Sequence, residues 1–167
     1  MMAEDIIDQL DLQPHPEGGY YRQTYRAFDI WAESSIPGRY DGPRVASTAI
    51  YFLLRDAEVS HLHRLKSDEL WHHYDGAALI IHIIEPDGLY HAETLGNDIK
   101  AGMRPQLLVP HGSWFGAEVR DHDGFALVGN TVAPGFDFAD FELADRHTLT
   151  ARFPRLADVI ARLTPYS

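Results

Sequence analysis

The spacing of hydrophobic and polar positions predicts a helix at each end of the chain and strands between them. The segment AEDIIDQL (3–10) places its apolar residues on one helical face. Prolines and glycines follow it, and YYRQTYRAF (20–28) then alternates in the manner of a strand rich in aromatic residues. Near the other end, RLADVIARL (155–163) has one apolar face and predicts a closing helix.

The middle of the chain consists of short apolar or alternating segments separated by turn residues. These segments are STAIYFLL (47–54), ELWHHY (69–74), ALIIHII (78–84), LYHAETL (89–95), PQLLVP (105–110), SWFGAEV (113–119) and FALVGNTVAP (125–134). Many short strands joined by regular turns predict an all-β sandwich or barrel. Residues 29–46 are rich in proline and glycine and predict a long excursion of the kind that forms lids or oligomer contacts.

Length and composition fit one globular domain spanning residues 1–167, because 45% of the residues are hydrophobic. The chain contains no cysteine, so disulfides and thiolate chemistry are excluded. Its formal charge of −11 disfavours nucleic acid and anionic membranes as partners. The acidic N-terminus and the lack of a membrane-spanning apolar run predict a cytoplasmic protein.

The segment SHLHRLKSDELWHHYDG (60–76) carries the clearest chemistry. Strand alternation places His61 and His63 on one face, and Glu69 opens the next strand beside them. Two imidazoles and a carboxylate suit a divalent metal. The same group also suits a metal-free acid–base pair, or a hydrogen-bonded patch in a non-catalytic pocket.

Two further groups of side chains are candidates for ligand contact. Glu69, Trp71 and His73 alternate onto one face, which adds an imidazole and a flat apolar surface unless Trp71 belongs to the core. Beside Tyr21, the side chains of Arg22 and Arg26 alternate onto another face, where they suit a phosphate or carboxylate, or salt bridges to the many acidic residues.

The 60–76 segment resembles the first motif of the cupin superfamily, in which His-x-His is followed by a Glu and, seven positions later, a Gly. His61, His63, Glu69 and Gly76 match this motif, with one extra residue between His63 and Glu69.

The second superfamily motif, Pro-x-Gly-x-x-His, begins at Pro110. Phe115 stands where its final metal-binding histidine is expected, and a phenyl ring cannot ligate a metal. The resemblance therefore implies three of the four expected ligands and an inward-facing apolar wall at Phe115.

A narrower resemblance, to the cupin subfamily catalogued as DUF985 or Cupin_5, covers nearly the whole chain. It is carried by PHPEGGYYRQTYR (14–26), STAIYFLL (47–54), HRLKSDELWHHYDG (63–76), VPHGSWF (109–115) and TVAPGFDFADFELAD (131–145). The resemblance implies a double-stranded β-helix, or jelly-roll barrel, with its core at about residues 18–145 and short terminal helices. It also implies a homodimer similar to sugar-nucleotide epimerases of the dTDP-4-dehydrorhamnose 3,5-epimerase kind.

The leading functional hypothesis is a metal-independent isomerase or epimerase acting on a sugar-like metabolite. In it His63 moves a proton next to a carbonyl, Glu69 orients it and His73 assists. The residues expected to contact substrate are Tyr21, Arg22, Trp71 and Phe115. One alternative is an oxygenase-like enzyme with one divalent metal on His61, His63 and Glu69, and another is a non-catalytic binding or regulatory module.

Overall fold

The protein is built mainly from antiparallel strands, in a computed structural model that describes residues 2–166. The strands are β1 (Gln13–Pro14), β2 (Tyr20–Arg26), β3 (Ile30–Trp31), β4 (Arg44–Val45), β5 (Thr48–Arg55), β6 (Val59–Arg64), β7 (Asp68–Gly76), β8 (Leu79–Ile84), β9 (Tyr90–Leu95), β10 (Gln106–Val109), β11 (Trp114–Val119), β12 (Phe125–Ala133) and β13 (Glu142–Leu143). The α-helices are α1 (Ala3–Gln9), α2 (Arg146–Arg152) and α3 (Ala157–Arg162).

Two sheets form the barrel walls. The first has the strand order β1-β2-β5-β12-β7-β10, and the second has the order β13-β6-β11-β8-β9. Each sheet contains strands from both halves of the chain, as in a jelly roll. The predicted all-β barrel with short terminal helices is therefore confirmed.

A plug of aromatic residues fills the middle of the barrel. Phe52, Trp71 and Phe115 are almost completely buried, and the Trp71 ring lies edge-on to the other two at centroid distances of 6.0 and 6.3 Å. Aliphatic residues from both sheets surround this plug. A cavity lies above the plug, towards the barrel end where β5 begins.

Helices cover parts of the outer barrel faces. Ile6 of α1 packs against Leu53 on the first sheet, whereas α2 and α3 pack on the second sheet. The sequence pattern did not predict α2, which begins where the Asp145 side chain accepts a hydrogen bond from the Thr148 amide at 2.8 Å. Within residues 2–166, no helix has the length and hydrophobicity needed to cross a membrane.

The 29–46 excursion is fixed to the cavity end of the barrel. It contains the β3–β4 ribbon, and the buried Arg44 guanidinium donates hydrogen bonds of 2.8 and 2.6 Å to the buried Asp140 carboxylate. The Tyr40 and Ser67 hydroxyls lie 2.7 Å apart. These contacts tie the excursion to the loop before β7 and to the segment after β12, and the latter supplies part of the cavity rim.

Candidate functional site

A cavity of about 400 Å³ opens at this end of the barrel. It is lined by His15, Glu17, Tyr21, Gln23, Arg26, Thr48, Ile50, His63, Leu65, Glu69, Asn130, Val132, Phe136, Asp137 and Phe138. A cavity of this size, with mixed apolar walls and a few buried polar groups, is typical of a small-molecule site.

The Glu17 carboxylate reaches the cavity from a tight turn between β1 and β2. The His15 amide donates to the Gly19 carbonyl at 2.9 Å, and the Glu17 carbonyl accepts from the His61 amide on β6 at 2.6 Å. Gly18 has φ of +104°, and a Cβ there would overlap the Val59 carbonyl oxygen. Glycine is therefore required for the turn to lie against β6.

Glu17 and His63 form a buried ion pair. His63 Nε2 lies 2.9 Å from Glu17 Oε2, and Nδ1 lies 2.7 Å from the His61 carbonyl oxygen. Burial alone would lower the pKa of His63, but the Glu17 carboxylate raises it above its ordinary value of 6.5. Burial likewise opposes ionisation of Glu17, yet His63 holds the pKa of Glu17 below 4.5. The pair is therefore a carboxylate and an imidazolium.

Glu69 is the second buried carboxyl group of the cavity, and it is neutral whereas Glu17 is ionised. Only 6% of its surface is exposed, and its Oε2 has no hydrogen-bond partner among residues 2–166. Burial raises the pKa of Glu69 to about 8 against the His63 charge, which lowers it, and the Glu17 charge adds to the rise. Glu69 is consequently protonated at neutral pH and able to donate a proton into the cavity.

The cavity thus combines an ionised carboxylate–imidazolium pair with a neutral carboxylic acid. Such a separation of pKa values between neighbouring acids is typical of acid–base catalysis, because one group can accept a proton while the other donates one. Glu69, predicted to orient His63, lies in the same cavity, but Glu17 is the residue that contacts the imidazole.

A β-bulge separates the two histidines predicted to share a face. Phe115 pairs with His63 and Ala117 with Ser60, so His61 and Leu62 together lie opposite Gly116. Ser60 therefore takes the inward position that simple alternation assigns to His61. His61 is absent from the cavity lining, so the expectation of a common face is wrong.

The predicted metal ligands do not fit a metal site. Both ring nitrogens of His63 already face oxygen atoms, and the Phe115 ring packs against this imidazole at a centroid distance of 4.1 Å. In the described part of the chain, no three His, Asp or Glu side chains are grouped to hold a metal ion. The side chains present favour the metal-free alternative because the coordinating nitrogens are engaged in hydrogen bonds.

A second bulge changes which arginine reaches the cavity. On β2, Gln23 pairs with Ile50 and Tyr25 with Ala49, which leaves Thr24 as an extra residue. Arg26 consequently lines the cavity with Tyr21, whereas Arg22 lies on the outer face and donates to the Leu10 carbonyl at 3.2 Å. Both arginine side chains are exposed to solvent. The predicted common face of Arg22 and Arg26 is therefore wrong, and Tyr21 lies where it was expected.

Glu69, Trp71 and His73 do occupy consecutive same-face positions on β7, but at different depths. Four residues of strand extend about 13 Å. Trp71 and Phe115 belong to the plug below the cavity rather than to its lining. His73 lies beyond the plug, where its Nε2 is 2.9 Å from the Ala77 carbonyl oxygen. The structure therefore brings only Glu69 of these three to the cavity.

Several cavity residues were not among the predicted site residues. They include His15, Glu17 and Asn130. The glycine pair after Glu17 could have signalled a close approach of two chain segments. Asn130 also carries a signal, because it is a polar residue within the buried strand FALVGNTVA. Both amide atoms of Asn130 are buried without a partner in the described range.

The fold and site can be compared with known proteins. The family model described as Cupin superfamily (DUF985), Cupin_5, matches residues 4–144, so the chain belongs to this family. A Saccharomyces cerevisiae protein, the uncharacterized YML079W, is 28% identical over 146 residues, which are 82% of this chain and 72% of that protein.

Solved structures support the same assignment. The crystal structure of protein SO0799 from Shewanella oneidensis has a TM-score of 0.90 at 42% identity, covering 100% of this chain and 99% of that one. A hypothetical protein from Leishmania major has a TM-score of 0.89 at 34% identity, covering 99% of this chain and 100% of that one. Oxalate decarboxylase from Bacillus subtilis shares the fold at a TM-score of 0.55 and 14% identity, covering 95% of this chain and 41% of its own.

The neutral state of Glu69 makes a prediction about stability. Its pKa is higher in the folded chain, about 8, than its ordinary 4.5, so the folded state holds a proton that the unfolded state releases between these pH values. The wild type therefore loses stability relative to Glu69→Gln as pH rises from about 5 to 8. We expect the variant to be more stable at pH 7, on the order of 3 kcal/mol.

Urea denaturation at pH 5, 7 and 8 measures this difference. Glu33→Gln, at an exposed carboxyl group, is the control and should change the unfolding free energy by less than about 0.5 kcal/mol at each pH. Parallel pH profiles for the wild type and Glu69→Gln would contradict a neutral Glu69.

Proposed function

We propose that the protein is a metal-independent isomerase or epimerase that moves a proton next to a carbonyl group of a small, sugar-like metabolite. The observation that carries this proposal is the presence of the Glu17–His63 ion pair and the neutral Glu69 acid in one cavity. A carbon-bound proton is removed most readily when an acid simultaneously donates to the carbonyl oxygen.

The Glu17–His63 pair is the proton acceptor in this mechanism. The two groups are strongly coupled, so the accepted proton belongs to the pair rather than to either residue. His63 keeps Glu17 ionised within the apolar barrel, and the His61 carbonyl fixes the imidazole through Nδ1. The pair therefore offers a carboxylate that is pre-oriented and does not require reorganisation of water.

Glu69 is the proton donor. Its proton moves to the carbonyl oxygen as the Glu17–His63 pair takes the neighbouring carbon-bound proton, which gives an enol with no net change of charge in the cavity. Return of the proton from the pair to the adjacent hydroxyl-bearing carbon, while the Glu69 carboxylate takes the proton of that carbon's hydroxyl group, isomerises the compound and restores both groups. The buried Asn130 amide lies in the same lining and suits a hydrogen bond to a substrate oxygen.

Deuterium exchange tests this function directly. We expect the wild type to replace carbon-bound hydrogen with deuterium next to the carbonyl of a sugar or sugar phosphate in D₂O, followed by proton NMR. Glu17→Gln, His63→Asn and Glu69→Gln should each slow exchange by roughly 10²- to 10⁴-fold, because each removes a proton-transfer group or its orientation. The wild-type rate should fall above pH about 8 as Glu69 ionises.

His61→Ala and chelation are the matched controls. His61 lies outside the cavity lining, so its replacement and treatment with EDTA should leave exchange unchanged. Loss of exchange in either control would instead support the metal-dependent alternative. Tight binding of a carbonyl compound without exchange would identify a binding module rather than an enzyme.

We also propose that a second copy of the chain packs on the outer face of the first sheet. Strand register places Leu108, Leu70, Thr131, Ala49 and Tyr25 in one row across five strands. Leu108, Tyr25 and the nearby Tyr74 are large and about half exposed, because α1 covers only another part of this sheet. A flat apolar row of this kind can pair with itself across a two-fold axis.

Analytical ultracentrifugation of two leucine variants checks the dimer. Leu108 lies in the row and is 50% exposed, and Leu89 lies outside it and is 58% exposed. Replacing either leucine by arginine therefore adds a charge at a similarly exposed position. We expect Leu108→Arg to sediment as a monomer and Leu89→Arg as a dimer. A monomeric wild type, or a dimeric Leu108→Arg, would refute this interface.

A further inference from the structure

Arg26 is the single Lys or Arg side chain in the cavity lining. Its guanidinium makes no hydrogen bond or ion pair within the described range, whereas Arg44, Arg55 and Arg162 are paired with carboxylates. Arg26 is exposed to solvent at the cavity, and it shares its lack of a carboxylate partner with other exposed arginines such as Arg120 and Arg155. Arg26 is therefore available to a negatively charged ligand group.

The β2 bulge is what aims Arg26 at the cavity. Arg26 pairs with Thr48, whose side chain also lines the cavity, while Thr24 takes up the extra residue. Without the bulge, Arg26 would share the outer face of Arg22. A bulge that re-aims one charged side chain is a common device beside ligand sites.

Glu69 and Asn130 on the other side of the cavity suit a different ligand group. Both are buried, and each has at least one polar atom without a partner in residues 2–166. A neutral carboxylic acid and a carboxamide bind hydroxyl and carbonyl oxygens, since together they donate and accept hydrogen bonds without charge. The cavity therefore presents a cationic group on one side and neutral hydrogen-bonding groups on the other.

Asp137 is the remaining acidic residue at the rim. Its Oδ1 accepts a hydrogen bond from the Ala139 amide at 2.8 Å and so stabilises the turn in the loop after β12. The distance from Asp137 to Arg26 exceeds the 4.0 Å of an ion pair. Asp137 repels an anion on its own side, which leaves Arg26 as the favourable position for one.

Strand register gives the spacing between the two ends of the site. Arg26, Thr48, Val132 and Glu69 lie side by side on four neighbouring strands. Three strand spacings correspond to about 14 Å along the sheet. Arg26 and Glu69 therefore project into the cavity from different strands, so the anionic part of a ligand and the oxygen that meets Glu69 occupy different parts of the cavity.

We propose that the cavity binds a hydroxylated carbonyl metabolite with a terminal phosphate or carboxylate, and that Arg26 holds this anion while Glu69 and Asn130 bind the neutral end. Tyr21, Phe136 and Phe138 supply apolar walls for the carbon skeleton. This proposal names the substrate class of the proposed function. It rests on that function only in assigning the carbonyl group to the end of the ligand beside Glu69.

Isothermal titration with matched sugars tests the anion position. The probes are glucose 6-phosphate, fructose 6-phosphate, the corresponding free hexoses, and gluconate as the carboxylate form. We expect the wild type to bind at least one anionic probe at least tenfold more tightly than its neutral counterpart. Phosphate and carboxylate are distinguished by whether the hexose phosphates or gluconate bind more tightly.

Arg26→Gln and Arg22→Gln form the matched pair of variants. Arg26→Gln should weaken the anionic probe at least tenfold and leave the free hexose unchanged, whereas Arg22→Gln should alter neither by more than about twofold. Equal effects of the two substitutions, equal binding of anionic and neutral probes, or no binding of any anionic probe to the wild type would overturn the proposal.

The outcome is separable from that of the proposed function. If an anionic probe binds through Arg26 but shows no deuterium exchange, the anion position stands and proton transfer fails. If an anionic sugar phosphate undergoes exchange with a rate and a half-saturating concentration that Arg26→Gln does not change, proton transfer stands and the anion position fails.

Discussion

The Glu17 carboxylate and the His63 imidazole meet at 2.9 Å inside the barrel, and the character of the cavity depends on this contact. Each charge would be costly to bury alone, so the two must be brought together by the fold. Gly18 allows the β1–β2 turn to lie against β6, and the bulge at His61 and Leu62 keeps His63 facing inward. The β1–β2 turn at Gly18 and the bulge in β6 are therefore both needed to bring Glu17 and His63 into contact.

Burial determines the state of Glu69. Desolvation destabilises a carboxylate there more than the neighbouring His63 charge stabilises it, and the Glu17 carboxylate adds to the destabilisation, so Glu69 keeps its proton. Of the two glutamates in this cavity, Glu17 is thus ionised because it contacts His63, and Glu69 is neutral because it is buried without a cationic partner in contact. Burial of Glu69 without full hydrogen bonding costs stability, and such a cost is common where a group is kept for its chemistry.

The barrel, the strand segments and the importance of residues 60–76 could be predicted from the sequence, because hydrophobic alternation and turn residues are local signals. His63 and Glu69 both line the cavity, and strand alternation indicates this inward direction for each of them. The sequence could not show that His61 faces away from the cavity, or that Arg26 rather than Arg22 faces it. In each strand a bulge inserts one residue, and the residues beyond it then point to the opposite face. The contact of Glu17 with His63 joins residues 46 positions apart and depends on tertiary packing.

The sequence also could not show how deep in the barrel each inward-facing residue lies. Glu69 and His73 share a face, but the Trp71 plug lies between them and divides the barrel interior. Alternation gives the direction of a side chain and carries no information about which level of a barrel is filled. The same limit applies to Phe115, whose inward direction was right and whose place is the plug, in contact with the His63 ring.

The most direct test of this account is a carbon-detected NMR titration of protein labelled at its glutamate carboxyl carbons, with Glu69 assigned from the Glu69→Gln variant. The account predicts that Glu69 titrates near pH 8 and that Glu17 remains ionised below its ordinary value of 4.5. A Glu69 midpoint near 4.5 would contradict it, because the cavity would then contain two carboxylates and no buried acid to donate a proton.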